Sequence, residues 1–304
     1  MQLSVLAEPQ FAGVLEGNPQ ISEILLHRGF FPTVAAIRKR RFPVVFNQHG
    51  GPTSALITAA SGIPIRVCWE RRQFGFIYNV HVPSPAAFYG RDDVHTVEQR
   101  LTQFYATGLP RGPIPFASIY PSVESRASVA RLLAAKRISA AEGYAVVRPG
   151  ATHPANRWAA ENFAVIARWL RTERGIPTVI NLGPDERDVA SPLRELCGTE
   201  IPVLDALNLS ELMALLAGAR LYVGNDSGPA HIAAAARCPV GVIFGASNPV
   251  HWRPWGTEYR LLRSEQPAVP GLPSVRIEDV QAACDELLVP AVIRHGANAA
   301  YVQQ

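Results

Sequence analysis

The stretch Leu221-Tyr-Val-Gly-Asn-Asp-Ser-Gly-Pro-Ala-His-Ile-Ala-Ala-Ala-Ala236 decides the fold prediction. Its first residues are typical of a buried strand, and its alanine-rich second half is typical of a helix. A tight turn, Gly224-Asn-Asp-Ser-Gly228, joins the two. Pro229 suits the first helical position because its missing N–H would be unpaired there anyway. A buried strand that runs directly into a helix is the building unit of parallel α/β sheets.

The same turn is a candidate anion site. Backbone N–H groups at a helix start, together with the positive end of the helix dipole, favour negative charge. Ser227 adds a hydroxyl, Gly228 permits close backbone approach, and His231 lies one helical turn beyond Ser227. We interpret the turn as a phosphate cradle, with an ordinary capped helix and a structural histidine as the alternative. A serine-hydrolase elbow fits poorly, because the spacing is G-x-x-S-G and not G-x-S-x-G.

On both sides of this stretch, short apolar runs alternate with helical patterns, which predicts an α/β fold. The predicted strands are 3–7, 23–27, 43–47, 65–68, 144–148, 178–182, 220–223 and 240–244. The predicted helices are 33–41, 53–60, 97–105, 122–137, 161–172, 185–196, 209–217, 229–236 and 277–288. The strand–helix pattern restarts near residue 140. We therefore expect two parallel-sheet domains facing a cleft, residues 1–138 and 139–304, with ligands outside the carboxyl ends of the strands.

Two further turns follow predicted strands of the second domain. In the first, Thr152 is placed to donate to a phosphate and Arg157 to clamp one, with an ordinary surface arginine as the alternative. In the second, Asp185 or Glu186 would stand at the sheet edge, where a carboxylate holds a ribose. Helix capping is the alternative for Asp185.

Composition narrows the class of protein. The chain has 304 residues, a net charge of +4 and only two lysines, Lys39 and Lys136, among its 29 basic residues. The basic cluster 38–41 is too short to indicate nucleic acid, and it weakly favours an anionic membrane surface or an acidic substrate. No apolar run is long enough to span a membrane, and no secretory signal is expected. The four cysteines lack metal or redox spacing, which predicts buried free thiols in a reducing cytosol.

The 224–231 motif, followed by Arg237-Cys-Pro-Val240, Phe244-Gly-Ala-Ser-Asn-Pro249 and Trp252-Arg-Pro-Trp-Gly256, resembles glycosyltransferase family 9. These are the ADP-heptose:lipopolysaccharide heptosyltransferases. Weaker segments of the first half, such as Asn47-Gln-His-Gly50 and His95-Thr-Val-Glu-Gln99, fall in the family's order. The resemblance implies the GT-B fold, with two Rossmann-like domains facing a cleft. It also implies inversion of the anomeric centre, with no metal in the chemical step and no cofactor.

The resemblance also implies roles for individual residues. Ser227, Gly228 and His231 would hold the donor diphosphate, and Asp226 would lie beside the sugar. Thr152 would contact a phosphate, and Asp185 or Glu186 would bind the ribose. The family usually has a lysine where this chain has Asn156, and Arg157 is the nearest cation that would replace it, with a different geometry.

The family begins with a strand and a Gly-Asp loop that carries the proposed general base. No Gly-Asp segment occurs in the first 90 residues. We therefore expect either that the native gene starts upstream of Met1, or that another segment or subunit fills the place of this strand. His49 is the only substitute base that the sequence offers, with a structural role as the alternative.

The expected function is an inverting transfer of a heptose-like sugar from a nucleotide diphosphate donor, with ADP-heptose favoured, to a lipopolysaccharide-core acceptor. The expected partners are this donor and a lipid-linked saccharide, with no nucleic acid. The expected location is the cytoplasm, with possible peripheral contact at the inner membrane. The alternatives are a non-enzymatic or impaired nucleotide-sugar-binding relative, and a nucleotide-sugar hydrolase or epimerase.

Overall fold

The structure, a computed structural model, describes residues 2–70, 72–151, 157–184, 186–263 and 275–289. The strands in these ranges are β1 (Ser4–Ala7), β2 (Glu23–Leu26), β3 (Val44–Phe46), β4 (Ile65–Trp69), β5 (Val80–Val82), β6 (Tyr144–Arg148), β7 (Thr178–Asn181), β8 (Val203–Leu204), β9 (Ala219–Asn225), β10 (Val240–Phe244) and β11 (Tyr259–Arg263). The helices are α1 (Phe30–Arg40), α2 (Pro52–Ala60), α3 (Pro85–Tyr89), α4 (Thr96–Ala106), α5 (Val123–Ala135), α6 (Ala160–Thr172), α7 (Arg187–Cys197), α8 (Leu209–Ala217), α9 (Gly228–Ala235), α10 (Pro249–Trp252) and α11 (Ile277–Leu288).

The chain forms two compact units, and the break between them falls earlier than the sequence indicates. The first unit consists of the residues up to Pro115 together with Val250–Arg253. The second unit begins at Phe116. The predicted boundary after residue 138 therefore differs from the one in the structure. The difference is α5, which packs on α8 in the second unit, where Ser128 Oγ donates to Glu211 Oε1 at 2.7 Å.

The second unit contains one parallel sheet of six strands in the order β11-β10-β9-β6-β7-β8. Every residue of β6 and of β10 is buried, and a hydrophobic cluster covers each face of the sheet. Strands that are buried on both faces read as continuous apolar runs, which is why the sequence predicted them well. The α/β fold with parallel sheets is confirmed.

The strand order reverses between β6 and β9. From β6 the chain continues to β7 on one side, and from β9 it continues to β10 on the other. The connections that leave the carboxyl ends of β6 and β9 thus diverge and open a crevice between them. In open α/β sheets this switch point is where ligands bind.

The first unit holds its strands in two separate parallel sheets, β1-β2 and β3-β4-β5. Helices α1 and α2 pack together, and one apolar cluster joins them to β2: Leu25, Val34, Ile37, Ile57 and Ile63. Within the described residues, β1 pairs only with β2 and β3 only with β4. One side of each of these two strands is therefore an open edge.

Five short elements escaped the sequence prediction: β5, α3, β8, α10 and β11. Each has only two to five residues, which is too few to show a period in the sequence. The prediction for the cysteines holds, since all four are buried and free.

Candidate functional site

The turn between β9 and α9 has the shape predicted for an anion cradle. Asp226 N donates to Ile243 O at 2.9 Å, which fixes the turn to the neighbouring strand β10. Ser227 precedes the first helical residue, but its side chain does not cap the helix; Ser227 Oγ donates instead to Asn225 O at 3.2 Å. Gly228 is exposed, and a Cβ placed on it would meet nothing within 4 Å. The start of α9 thus opens onto free space with its first amides uncapped by Ser227.

The buried side chain of Asn225 ties this turn to the loop after β6. Its Nδ2 donates to Pro149 O at 2.6 Å, and its Oδ1 accepts from Trp158 N at 3.0 Å. Trp158 is itself anchored by Nε1, which donates to Val275 O at 2.9 Å. Asn225 therefore ties the turn after β9 to Pro149 and Trp158, which follow β6. The sequence analysis quoted this asparagine within the motif but gave it no role.

His231 and Asp226 influence each other electrostatically above the start of α9. Burial lowers the pKa of His231, and the nearby Asp226 carboxylate partly opposes that effect. Burial raises the pKa of Asp226, while a hydrogen bond with Ser247 and the proximity of His231 lower it. An incoming anion would shift this balance, because negative charge beside an imidazole favours its protonated form.

Glu186 stands at the carboxyl edge of β7, as predicted, but its carboxylate is already engaged. Arg148 Nη2 lies 3.2 Å from Glu186 Oε2, and Gly183 N donates to the same oxygen at 2.6 Å. A Cβ on Gly150 would lie 1.9 Å from Glu186 Oε1, so the glycine is what gives the carboxylate its place. Arg148 is buried and also donates to Asn181 Oδ1 at 2.8 Å. Arg148 was not among the predicted site residues, although a charged residue that ends a buried strand was a usable signal.

The remaining predicted residues of this unit lie around the same crevice or outside the described ranges. Arg157 Nε donates to Ala151 O at 2.6 Å, which fixes its guanidinium to a residue that follows β6. Thr152 and Asp185 lie outside the described residues, as does Asn156.

His49 belongs to the first unit, in the turn between β3 and α2, and it is exposed. Its Nδ1 accepts from Gly51 N at 3.2 Å. The buried Asn47 holds the same turn, since its Oδ1 accepts from His49 N at 3.1 Å and from Gly50 N at 2.8 Å. With the Nδ1 lone pair used in this way, the neutral ring carries its proton on Nε2. In this geometry His49 stabilises a turn and has no free lone pair for a general base.

Two features are absent from the described part of the chain. No three histidine, cysteine, aspartate or glutamate side chains are grouped to hold a metal ion there. Among the described helices, none is long and apolar enough to cross a membrane.

A parallel sheet with a helix start at its switch point is the arrangement of Rossmann-like domains. The fold is similar to that of a glycosyl transferase family 9 protein from Veillonella parvula DSM 2008, with a TM-score of 0.83 and 19% identity over 95% of this chain and 88% of that one. It is also similar to Escherichia coli ADP-heptose LPS heptosyltransferase II, with a TM-score of 0.80 and 21% identity over 97% and 91% of the two chains. The fold is therefore GT-B.

The model of glycosyltransferase family 9 (heptosyltransferase) matches residues 33–280, and the chain belongs to this family. Lipopolysaccharide heptosyltransferase 3 of Escherichia coli is 36% identical over 118 residues, which are 38% of this chain and 34% of that relative. The match thus spans about a third of the length of this curated relative.

Proposed function

We propose that this protein is a glycosyltransferase that moves a heptose from a nucleotide diphosphate donor to a hydroxyl of a lipopolysaccharide-core acceptor, with inversion at the anomeric carbon. The observation that carries the proposal is the uncapped start of α9, with Ser227, His231 and Asp226 around it, at the switch point of a parallel sheet. ADP-heptose is the proposed donor, because the structurally similar Escherichia coli enzyme is described as an ADP-heptose transferase.

In the proposed reaction, the acceptor oxygen forms a bond to the anomeric carbon as the bond from that carbon to the diphosphate breaks. The electron pair of the broken bond stays on the diphosphate, whose negative charge rises. The amides at the start of α9, the Ser227 hydroxyl and the His231 imidazole stabilise this charge. Asp226 lies beside the sugar and influences the protonation of His231. No step here requires a metal or a cofactor.

The donor's nucleoside is proposed to lie over the carboxyl ends of β6 and β7. Glu186 is held there by Arg148 and Gly183, so a ribose hydroxyl would donate to a carboxylate that is already fixed in place. Thr152, Asp185 and Arg157 complete the proposed donor site. In this scheme Arg157 acts through Ala151, to which it is fixed.

The acceptor hydroxyl must lose a proton, and His49 is the base candidate that the sequence offers. To act, its Nδ1 would have to release Gly51 N. The structure thus favours the turn-stabilising role that the sequence analysis held as the alternative.

We further propose that the protein works in the cytoplasm and contacts the inner membrane peripherally, where a lipid-linked acceptor would reside. Helix α1 supports this, because Phe31 is 81% exposed at its start and the basic residues 38–41 are exposed at its end. An apolar anchor combined with a basic cluster is a common peripheral membrane signal.

A donor panel tests the proposal. Calorimetry with ADP-, UDP- and GDP-sugars identifies the donor, and mass spectrometry of a heptose-deficient lipopolysaccharide core then measures transfer. We expect ADP-heptose to bind and one heptose to be added. Binding without transfer would favour a non-enzymatic relative, and donor breakdown without acceptor would favour a hydrolase. If the protein binds no member of the panel, the proposal is overturned.

A further inference from the structure

Tyr222 is a buried polar residue beneath the candidate site that has no hydrogen-bond partner. It lies on β9 with none of its surface exposed. Its hydroxyl is completely enclosed, and no described residue meets it in hydrogen-bond geometry. Buried hydroxyls without partners are rare in native proteins, because the lost hydration is not replaced. An orphaned hydroxyl therefore calls for a functional or structural reason.

The ring of Tyr222 extends along its own strand toward the turn. A Cβ built on Gly224 would lie 2.6 Å from the Tyr222 hydroxyl and 2.9 Å from Arg148 O. The glycine therefore gives the phenol room to reach the floor of the turn. Any larger residue at 224 would displace the ring, so Gly224 and Tyr222 form a matched pair.

The Ser227 side chain is one of the groups that act on this phenol. Burial raises the pKa of Tyr222, and the charge of Arg148 and a side-chain interaction with Ser227 lower it, although the two hydroxyls do not meet in hydrogen-bond geometry. The Ser227 hydroxyl is thus a close neighbour, but its hydrogen is directed to Asn225 O at 3.2 Å, a long bond for a hydroxyl donor. Ser227 Oγ can therefore accept a further hydrogen bond, and the bond that it donates to Asn225 O is weak enough to be replaced.

We propose that Tyr222 is a positioning residue for the Ser227 hydroxyl during nucleotide binding. In the complex, Tyr222 O–H donates to Ser227 Oγ, and Ser227 O–H leaves Asn225 O and donates to a diphosphate oxygen. Each hydrogen bond in such a chain polarises the next, so Tyr222 strengthens a contact that it does not itself make. The inference rests on the proposed function, because it takes the nucleoside diphosphate as the ligand at α9.

The proposal predicts opposite effects of one substitution on the free protein and on the complex. Tyr222→Phe keeps the ring and removes only the orphaned hydroxyl, so the melting temperature without ligand stays equal or rises. The affinity for ADP falls about five- to twentyfold, because the ordering of Ser227 is lost. A residue with a merely structural role would show the reverse pattern.

Tyr144 provides a matched control in the same core. It is also buried, but its hydroxyl donates to Leu215 O at 2.6 Å. Tyr144→Phe removes a satisfied hydrogen bond and should lower the melting temperature while leaving the affinity for ADP unchanged. The two Tyr→Phe variants thus separate the loss of a hydroxyl from the loss of its function.

A double-mutant cycle on ADP affinity, measured by calorimetry, tests the coupling. We expect Tyr222→Phe to weaken binding in the wild-type background and to have little further effect in a Ser227→Ala background. Unchanged affinity of Tyr222→Phe, or an equal loss in both backgrounds, would overturn the inference. If the wild-type protein binds neither ADP nor any other nucleoside diphosphate, the proposed function fails, and that result precedes the cycle.

Discussion

Arg148 and Glu186 form a buried ion pair above the carboxyl ends of β6 and β7, with 3.2 Å between Nη2 and Oε2. Their side chains are only 9% and 13% exposed. The pair exists because Gly150 leaves an empty volume that the carboxylate occupies. Two distant positions in the sequence are thereby joined beside the candidate site.

Breaking this pair should destabilise the protein strongly. Glu186→Gln keeps the shape of the side chain but leaves the Arg148 guanidinium buried without a counter-charge, so we expect a loss of about 3–5 kcal/mol in the free energy of unfolding. Urea denaturation measures it. Glu286→Gln is the matched control, because the Arg260–Glu286 pair is exposed and should contribute little. Equal effects of the two variants would show that burial of the first pair has no energetic consequence.

Removing the His231 imidazole should weaken nucleotide binding. We expect His231→Ala to reduce the binding free energy for ADP by about 1–3 kcal/mol, the scale of a charge-assisted hydrogen bond that is left unmade. Calorimetry measures the change. The control is His81→Ala, since His81 lies in the first unit and contacts Gly75 O. If His231→Ala binds ADP as tightly as the wild type, His231 has no part in the anion site.

Binding of a pyrophosphate diester should strengthen as the pH falls. Burial holds the pKa of His231 below its usual value in the free protein, and a bound anion would raise it. Binding then takes up a proton, so affinity increases as the pH falls through the window between the raised and the lowered pKa, and it is flat on either side. ADP-ribose is the suitable probe, because it lacks the terminal phosphate whose second pKa is about 6.

Calorimetry of ADP-ribose between about pH 8 and pH 5.5 measures this slope. In His231→Gln we expect most of the slope to vanish. Burial raises the pKa of Asp226, so that carboxyl is the first candidate for a slope that persists in the variant at the acid end. A wild-type affinity that is independent of pH would exclude His231 as the proton acceptor.

His49 should prove dispensable for proton transfer. His49→Asn offers Gly51 N another acceptor but cannot take a proton near neutral pH, so we expect both the melting temperature and the rate of heptose transfer to survive. His49→Ala removes the acceptor and should lower the melting temperature. A loss of about a hundredfold or more in transfer by His49→Asn, with an unchanged melting temperature, would instead identify His49 as the general base.

The second unit was largely predictable from the sequence, and the reasons are local. Its strands are continuous apolar runs, and the turn from Gly224 to Gly228 carries its own signals for a strand end and a helix start. The resemblance to the family pointed to the candidate site at that turn. The contacts that complete the site were not predictable, because they depend on register. The bond from Asn225 Nδ2 to Pro149 O requires β6 and β9 to be neighbours, and no local pattern reports the order of strands.

The sheet organisation of the first unit, by contrast, was not predictable from the sequence. Its individual strands β1 to β4 were predicted, yet their division into two sheets was not, because pairing between strands is a non-local property. The role of Tyr222 was hidden for a related reason: a tyrosine in a strand pattern reads as a core residue, and only the enclosed surroundings show that its hydroxyl is unsatisfied.

The open edges of β1 and β3 favour self-association of the protein. Within the described part of the chain no strand pairs with these edges, and an open edge is a template onto which the strand of another molecule can add. Leu6 on β1 is also 39% exposed. Self-association of the purified protein should therefore rise steeply with concentration and begin in the first unit. Leu6→Lys would delay it and leave the candidate site in the second unit intact.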